Sequence, residues 1–247
     1  METYKVAIIG CGSIGALKKD HIDFPGSENI LTHCNSINRH PRTELTALID
    51  TDAKKLSEAS KKWFKNYSPV KRMSMCFFGI DTGHGLPKPD ITIISVPTEH
   101  HYAVLNNVLK YKPRLIIAEK PFCMNYNEAR KITRLYSEYN IPIMVDYIRR
   151  FAPKYQEIKK QIDSGIWGKA LNCRILYTRG LKHEGCHAID LMRYFFGETD
   201  LFTTLNRIDL LGDSQNNYRI EDRNKNDPSV ECVASFEKCK SVIFQPC

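Results

Sequence analysis

Three glycines in the stretch Gly-Cys-Gly-Ser-Ile-Gly, residues 10–15, have the spacing GxGxxG. They directly follow a short apolar run at residues 6–9, which is the order of strand and turn found in dinucleotide-binding units. Glycines let the backbone approach a pyrophosphate closely, and the N-terminus of a following helix adds N–H donors. The turn therefore predicts a phosphate site for a dinucleotide, formed by Gly10, Gly12, Ser13, Ile14 and Gly15.

A carboxylate follows the second apolar run, residues 45–49. Asp50 would accept hydrogen bonds from both hydroxyls of the ribose in such a cofactor. It lies 35 positions after Gly15, farther than the usual ~20, and we predict that an inserted loop at residues 21–30 accounts for the surplus. Because no basic residue occurs at positions 50–53 to receive a 2′-phosphate, the sequence favours NAD over NADP.

Two opposite charges, Glu119 and Lys120, end a further apolar run at residues 115–118, and Pro121 follows them. In an open parallel sheet, ligands bind outside the carboxyl ends of the strands. The position of the two charges therefore predicts that they face the cofactor site. The alternative is that the pair is simply solvated at the end of a strand.

Helical patterns alternate with these runs through the first 150 residues. Two more strands are predicted at residues 91–96 and 141–145, with helices at about 51–67, 100–111 and 126–139. Strands separated by helices of this length indicate a parallel sheet covered on both faces. The expected fold class is therefore α/β, with a Rossmann dinucleotide-binding domain at residues 1–121 whose sheet is completed by the chain up to about residue 150.

The pattern changes after residue 150. Helices are predicted at about 154–164 and 186–196, and β segments at 169–178, 202–208 and 230–245. Longer, alternating β segments of this kind indicate an antiparallel arrangement. Residues 122–247 are therefore expected to form an α+β substrate and oligomerisation domain with a mainly antiparallel open sheet.

Composition excludes several classes of function. The net charge is +8, but the basic residues are scattered and no nucleic-acid motif accompanies them. No apolar run approaches the ~18 residues of a membrane helix and no signal peptide precedes the first strand, so a cytoplasmic protein is expected. The nine cysteines contain no CxxC pair and are expected to be reduced. No metal site is predicted, since no usual zinc spacing is matched by His21, His33, Cys34 and His40.

Five motifs in order, from residue 4 to about residue 200, resemble one family. They are GCGSIGA, PTEHH, AEKPF, YIRRFAP and GCHAIDLMRYFFG, and together they resemble the glucose-fructose oxidoreductase, inositol dehydrogenase and MocA (Gfo/Idh/MocA) family. The resemblance implies an NAD(P)-dependent oxidoreductase that acts on a hydroxyl-bearing carbon of a sugar, polyol or sugar nucleotide.

The resemblance also implies roles for single residues. Lys120 would contact the reacting hydroxyl and the cofactor, and His187 would act as acid or base, because hydride leaves a carbinol carbon only if the hydroxyl proton departs too. Taken without the family, His187 would more often be a helix-capping or structural histidine. Further cofactor contacts would be Pro97, Thr98, His101 and Glu119. Substrate contacts would be Tyr147, Arg150, His183 and Asp190.

Two features depart from the family pattern. Many members carry Asp where this chain has His183, with Glu184 beside it. The second domain of the family also continues for several dozen residues beyond the point that corresponds to Phe244, so an incomplete open sheet is expected here. Such sheets form dimers or tetramers in the family, and a homo-oligomer through this sheet is one expectation that the shortening puts in question. An alternative function is a cofactor-binding or regulatory relative that has lost turnover.

Overall fold

The computed structural model describes residues 2–18, 22–68, 75–78, 88–208, 227 and 229–247. The chain divides into two compact units, Met1–Asp146 and Tyr147–Cys247. The first unit thus extends past the expected boundary at residue 121 and includes the strand near residue 145. None of the helices in these ranges is long and apolar enough to cross a membrane.

The first unit contains a six-stranded sheet in the order β3-β2-β1-β4-β5-β6. Every neighbouring pair of its strands is parallel. The order reverses at β1 and β4, and in sheets of this kind the crevice outside the carboxyl ends at that point binds ligands. The strands are β1 (Tyr4–Ile9), β2 (Thr43–Asp50), β3 (Cys76–Phe78), β4 (Ile91–Ile94), β5 (Leu115–Ala118) and β6 (Ile143–Val145).

Helices cover both faces of this sheet. Val6 and Ile8 of β1 belong to one core cluster, while Ala7 and Ile9 belong to the other, as expected for a strand buried on both faces. Three helices begin at side-chain caps, from Thr32, Asp52 and Asn125. The helices are α1 (His33–Arg39), α2 (Ala53–Trp63), α3 (His101–Val108) and α4 (Tyr126–Glu138).

The second unit is built on a four-stranded sheet in the order β7-β10-β9-β8. Its strands are β7 (Cys173–Tyr177), β8 (Thr199–Ile208), β9 (Ser229–Phe236) and β10 (Cys239–Pro246), and its helices are α5 (Pro153–Ser164) and α6 (Cys186–Phe196). The two pairs β8–β9 and β9–β10 are antiparallel, whereas β10 pairs with β7 in parallel. Alternate residues of β9 are buried, which is typical of a sheet with one covered face.

The predicted fold class is therefore confirmed, with differences in single elements. The β segment expected at 230–245 is two strands, because the chain reverses at Glu237 and Lys238. The strand expected at 169–178 is confined to Cys173–Tyr177. Helix α1 was not predicted because it is short and carries few apolar residues, and strand β3 was not predicted because three residues are too few to show a period.

Candidate cofactor-binding and catalytic sites

The glycine turn lies between β1 and α1, and its three glycines have different surroundings. Gly10 has φ +99°, and a Cβ there would lie 2.6 Å from the backbone of Ser95. A Cβ on Gly15 would overlap with the carbonyl oxygen of Gly10. A Cβ on Gly12 would meet nothing within 4 Å. Gly10 and Gly15 are therefore required by the packing of the protein itself, whereas Gly12 leaves open space of the kind that a phosphate needs.

An inserted loop separates this turn from helix α1. The backbone N–H of His33 donates to Ile14 O at 2.9 Å, and that of Cys34 donates to Gly15 O at 3.0 Å. Helical bonding joins residues four apart, so His33 occupies the place that residue 18 would have in an uninterrupted helix. The insertion therefore amounts to 15 residues, the difference between 33 and 18. Without it Asp50 would follow Gly15 by 20 positions rather than 35, the usual spacing of this fingerprint.

The described part of the inserted loop is held by its own polar contacts. Asp23, which is 1% exposed, accepts hydrogen bonds from Leu31 N, Thr32 Oγ1 and Asn35 Nδ2 at 2.8–3.0 Å. Burial alone would raise the pKa of Asp23, but these hydrogen bonds outweigh it and lower the pKa. The sequence indicated an insertion at 21–30, and the hydrogen bonds place it at 18–32, of which residues 19–21 lie outside the described ranges.

Asp50 lies beside the glycine turn although the two are far apart in sequence. Its Oδ2 accepts the backbone N–H of Cys11 at 2.7 Å, and its Oδ1 accepts that of Asp52 at 2.8 Å. A carboxylate has about four lone-pair sites, so each oxygen can accept a further hydrogen bond from a ribose hydroxyl. The arrangement fits the ribose of a dinucleotide.

The segment after β4 holds the residues of the PTEHH motif. Pro97 precedes a 3₁₀ turn at Thr98–His100, and α3 begins at His101. The His101 ring is fully buried, with Nδ1 3.0 Å from Phe122 O and Nε2 2.9 Å from Val96 O. Both ring nitrogens therefore contact protein carbonyls and connect the ends of β4 and β5. Cofactor contacts from Pro97, Thr98 and His101 stay predictions, and these partners do not favour a direct contact by the His101 ring.

Glu119 and Lys120 follow β5 at its carboxyl end, as the sequence predicted. Glu119 Oε1 lies 2.9 Å from His33 Nε2, and Glu119 Oε2 accepts the backbone N–H of Lys120 at 3.3 Å. The Glu119 side chain is 16% exposed, so the alternative that it is simply solvated is wrong. The Lys120–Pro121 peptide bond is cis.

Asp146 joins this group from the end of β6. Its Oδ2 lies 4.0 Å from His33 Nε2. Asp146 was not predicted, although its place directly after a predicted strand is the signal that identified Glu119. His33 was not predicted to lie here because the inserted loop hides its relation to the glycine turn.

In the second unit, His187 is the second residue of α6. Its ring meets the ring of Tyr147 edge to face, with centroids 5.9 Å apart and an interplanar angle of 84°. Burial raises the pKa of Tyr147, so this phenol is a hydrogen-bond donor at neutral pH rather than a base. The roles of His187 in proton transfer and of Tyr147 in substrate contact stay predictions.

Arg150 and Asp190, both predicted to contact substrate, bind each other. Arg150 Nε lies 2.9 and 2.8 Å from the two carboxylate oxygens of Asp190, and Arg150 Nη2 lies 2.7 Å from Oδ1. The guanidinium also lies over the ring of Tyr194, 5.4 Å from its centroid. The described partner of Asp190 is thus an arginine, and contact of Asp190 with a substrate stays a prediction.

His183 lies on a turn of π-helix, Leu181–Gly185, directly before α6. Its ring is more than half exposed, and its Nε2 lies 3.9 Å from Glu184 Oε1. The carboxylate of Asp227 accepts the backbone N–H groups of Lys182 and His183 at 2.6 and 2.9 Å. A residue distant in sequence therefore caps the turn that leads to His187, and the short-range pattern contained no sign of it.

We expect Arg150→Ala to lower the free energy of unfolding by about 2 kcal/mol, because it leaves the buried Asp190 carboxylate without its charged partner. Urea denaturation followed by circular dichroism measures this loss. Arg174→Ala, at an exposed position of β7, is the control and is expected to change stability by less than about 0.5 kcal/mol. If Arg150→Ala keeps the wild-type stability and raises the KM for a sugar, Arg150 contacts substrate and does not stabilise the fold through Asp190.

Comparison with known proteins identifies the family. Residues 4–147 match the model of an oxidoreductase family with an NAD-binding Rossmann fold, GFO_IDH_MocA. Inositol 2-dehydrogenase of Corynebacterium glutamicum is 27% identical over 177 residues, which cover 71% of this chain and 46% of that enzyme. The chain thus spans about half the length of this curated relative.

Solved structures share the fold along the whole chain. Apo scyllo-inositol dehydrogenase from Lactobacillus casei superposes with a TM-score of 0.71 at 18% identity, covering 100% of this chain and 70% of that one. The WlbA dehydrogenase of Bordetella pertussis, in complex with NADH and UDP-GlcNAcA, superposes with a TM-score of 0.73 at 16% identity, covering 98% and 70%. The predicted resemblance and the NAD cofactor are both confirmed: with residues 4–147 forming its NAD-binding Rossmann fold, this chain belongs to the Gfo/Idh/MocA oxidoreductase family.

Proposed function

We propose that this chain is an NAD-dependent dehydrogenase that oxidises a CH–OH carbon of a polyol, sugar or sugar nucleotide. The observation that carries the proposal is the Asp50 carboxylate, which lies beside a glycine turn that is open at Gly12. The substrate class is supported by the relatives, which are named as inositol dehydrogenases or bind a sugar nucleotide.

The proposed chemistry needs one group to bind the oxygen and one to move the proton. NAD, when bound, accepts the hydride. The Lys120 ammonium donates a hydrogen bond to the substrate oxygen and stabilises the alkoxide as it develops. The His187 imidazole takes the hydroxyl proton, because an imidazole can accept and donate a proton near neutral pH. In the reverse direction Lys120 donates a hydrogen bond to the carbonyl oxygen, and His187 returns the proton.

We expect the wild-type chain to bind NADH at least about tenfold more tightly than NADPH, because the Asp50 carboxylate would repel a 2′-phosphate. Asp50→Ala should weaken NADH binding about tenfold and reduce the preference, since the ribose loses two acceptors and the repulsion disappears. Fluorescence titration with each nucleotide measures both effects.

Asp52→Ala is the matched control for this experiment. Asp52 caps α2 by accepting the backbone N–H groups of Lys54 and Lys55. Its loss should weaken the start of α2 without changing the preference for NADH. NADPH binding as tight as NADH binding in the wild type would contradict the role of Asp50.

A relative without turnover is the second candidate. The observation in its favour is that the exposed His183 stands where many family members have a carboxylate, while Asp190 is bonded to Arg150. Tight NADH binding, together with no NADH formation from a panel of inositols, sugars and sugar nucleotides, would support this candidate. A homo-oligomer through the second sheet stays a prediction, which light scattering after size exclusion would check.

A further inference from the structure

A histidine to which sequence reasoning assigned no role connects two parts of the candidate cofactor site. The backbone N–H of His33 donates to Ile14 O in the glycine turn. Its imidazole Nε2 lies 2.9 Å from Glu119 Oε1, and the other oxygen of Glu119 accepts the backbone N–H of Lys120. His33 thus bonds to the glycine turn through its backbone N–H and to Glu119, the residue before Lys120, through its side chain.

Little solvent competes with these contacts. The side chains of His33, Glu119 and Asp146 are 11%, 16% and 22% exposed. Three elements supply the charged groups around Glu119 in the described ranges: His33 from α1, Asp146 from the end of β6, and Lys120 from its own segment. A hydrogen bond to a carboxylate is stronger at such burial than at the surface.

We propose that His33 is a positioning residue of the dehydrogenase, which holds Glu119 in one orientation and so keeps the adjoining Lys120 segment fixed relative to the phosphate turn. The inference rests on the proposed function, because its effect on catalysis is exerted through Lys120. It assigns a purpose to the hydrogen bond between the His33 imidazole and Glu119, which joins α1 to the end of β5.

The pKa values of the two carboxyl groups near His33 are shifted in opposite directions. Burial alone would raise the pKa of Glu119, but the hydrogen bond and charge of His33, with smaller contributions from Lys120, lower it. Burial raises the pKa of Asp146 by more than the charge of His33 lowers it, and the nearby Glu119 charge adds to the rise. Glu119 is therefore the carboxyl group of the two that stays ionised to lower pH.

The test compares His33→Ala, His33→Gln and the control His40→Ala in turnover assays across pH. We expect His33→Ala to lower kcat about 10- to 100-fold, as small misplacements of a catalytic group do. Without His33 the pKa of Glu119 rises, so activity that needs the ionised form should be lost at a higher pH than in the wild type. His33→Gln can donate an amide N–H but carries no charge. It should therefore restore part of kcat, while the loss of activity at low pH should still occur at a higher pH than in the wild type.

His40 is a suitable control because it lies exposed at the other end of α1. His40→Ala should keep the wild-type kcat and pH dependence. If His33→Ala keeps the wild-type kcat and loses activity at the same low pH as the wild type, the proposal is overturned.

A metal requirement would also overturn the proposal. It would appear as loss of wild-type activity in EDTA and recovery of that activity with Mn²⁺ or Zn²⁺. The donor atoms of His33, Glu119 and Asp146 lie within 4.8 Å of one another. A metal requirement would therefore indicate that these three residues are metal ligands.

A second measurement does not depend on turnover. Carboxyl-carbon NMR of the cofactor-free protein follows the titration of Glu119, whose signal is assigned by its loss in Glu119→Gln. If the wild type turns over substrate and the pKa of Glu119 is the same in His33→Ala as in the wild type, the positioning role is overturned and the proposed function stands. A raised Glu119 pKa in His33→Ala supports the bond between the two residues, whether or not the wild type shows turnover. Absence of turnover in the wild type would count against the proposed function alone.

Discussion

We expect Lys120→Ala to lower kcat about 1,000-fold, because it removes the donor that stabilises the developing alkoxide. The change should leave the Kd for NADH within about threefold of the wild type, since the phosphates and ribose are bound by the glycine turn and Asp50. Steady-state assays with the best substrate of the panel, together with fluorescence titration of NADH, measure both quantities.

Lys131→Ala, at an exposed position of α4, is the matched control and should have wild-type kcat. His187→Ala should also lose turnover, by about 100-fold or more, while the Kd for NADH is unchanged. If Lys120→Ala retains the wild-type kcat, the catalytic assignment of Lys120 is wrong. If both variants lose NADH binding together with activity, the loss reflects folding rather than chemistry.

The second large effect is a contrast between two glycines three residues apart. Gly15→Ala should destabilise the first unit by about 3 kcal/mol or more, because the new methyl group overlaps with the carbonyl oxygen of Gly10. Gly12→Ala adds a methyl group where no protein atom lies within 4 Å, so the cofactor-free protein should keep its Tm within about 2 °C. The same methyl group should weaken NADH binding at least about tenfold, because it occupies the space that a pyrophosphate needs.

Thermal unfolding with and without NADH separates these outcomes. NADH should raise the Tm of the wild type and have a much smaller effect on Gly12→Ala, since stabilisation by a ligand follows its affinity. Gly165→Ala is a useful comparison, because Gly165 has φ +73° and open space around its Cβ position. It should cost about 1 kcal/mol through backbone strain and leave NADH binding unchanged. Wild-type NADH affinity in Gly12→Ala would contradict the assignment of the turn to phosphate binding.

The local elements could be predicted with good accuracy, because their signals lie within a few residues. Apolar runs of four to six residues marked β1, β2, β4 and β5, and helix α6 begins and ends where its pattern predicted. The glycine turn, Asp50 and Glu119 could be assigned because the carboxyl ends of parallel strands meet at one edge of the sheet. These inferences use only the periodicity of strands and helices and the rule that ligands bind outside the carboxyl ends of parallel strands.

The inserted loop shows where such reasoning stops. Composition indicated an insertion, but only the bonds from His33 and Cys34 back to the glycine turn show that α1 resumes an interrupted helix. Once that register is known, His33 lies beside Glu119, 86 positions away in the sequence. No local sequence pattern predicts that the two residues are close. The loop lengthens the sequence between the glycine turn and α1 but leaves the position of α1 in the fold unchanged.

The linear order of residues was thus sufficient for the family, the parallel sheet of the first unit and the position of its glycine turn. Which polar groups bind each other was settled only by folding: Asp50 with Cys11, His33 with Glu119 and Arg150 with Asp190 are separated by 39, 86 and 40 positions. The physical reason is that backbone periodicity acts over a few residues, whereas a buried charge takes whichever partner the packing of distant elements brings within hydrogen-bond distance.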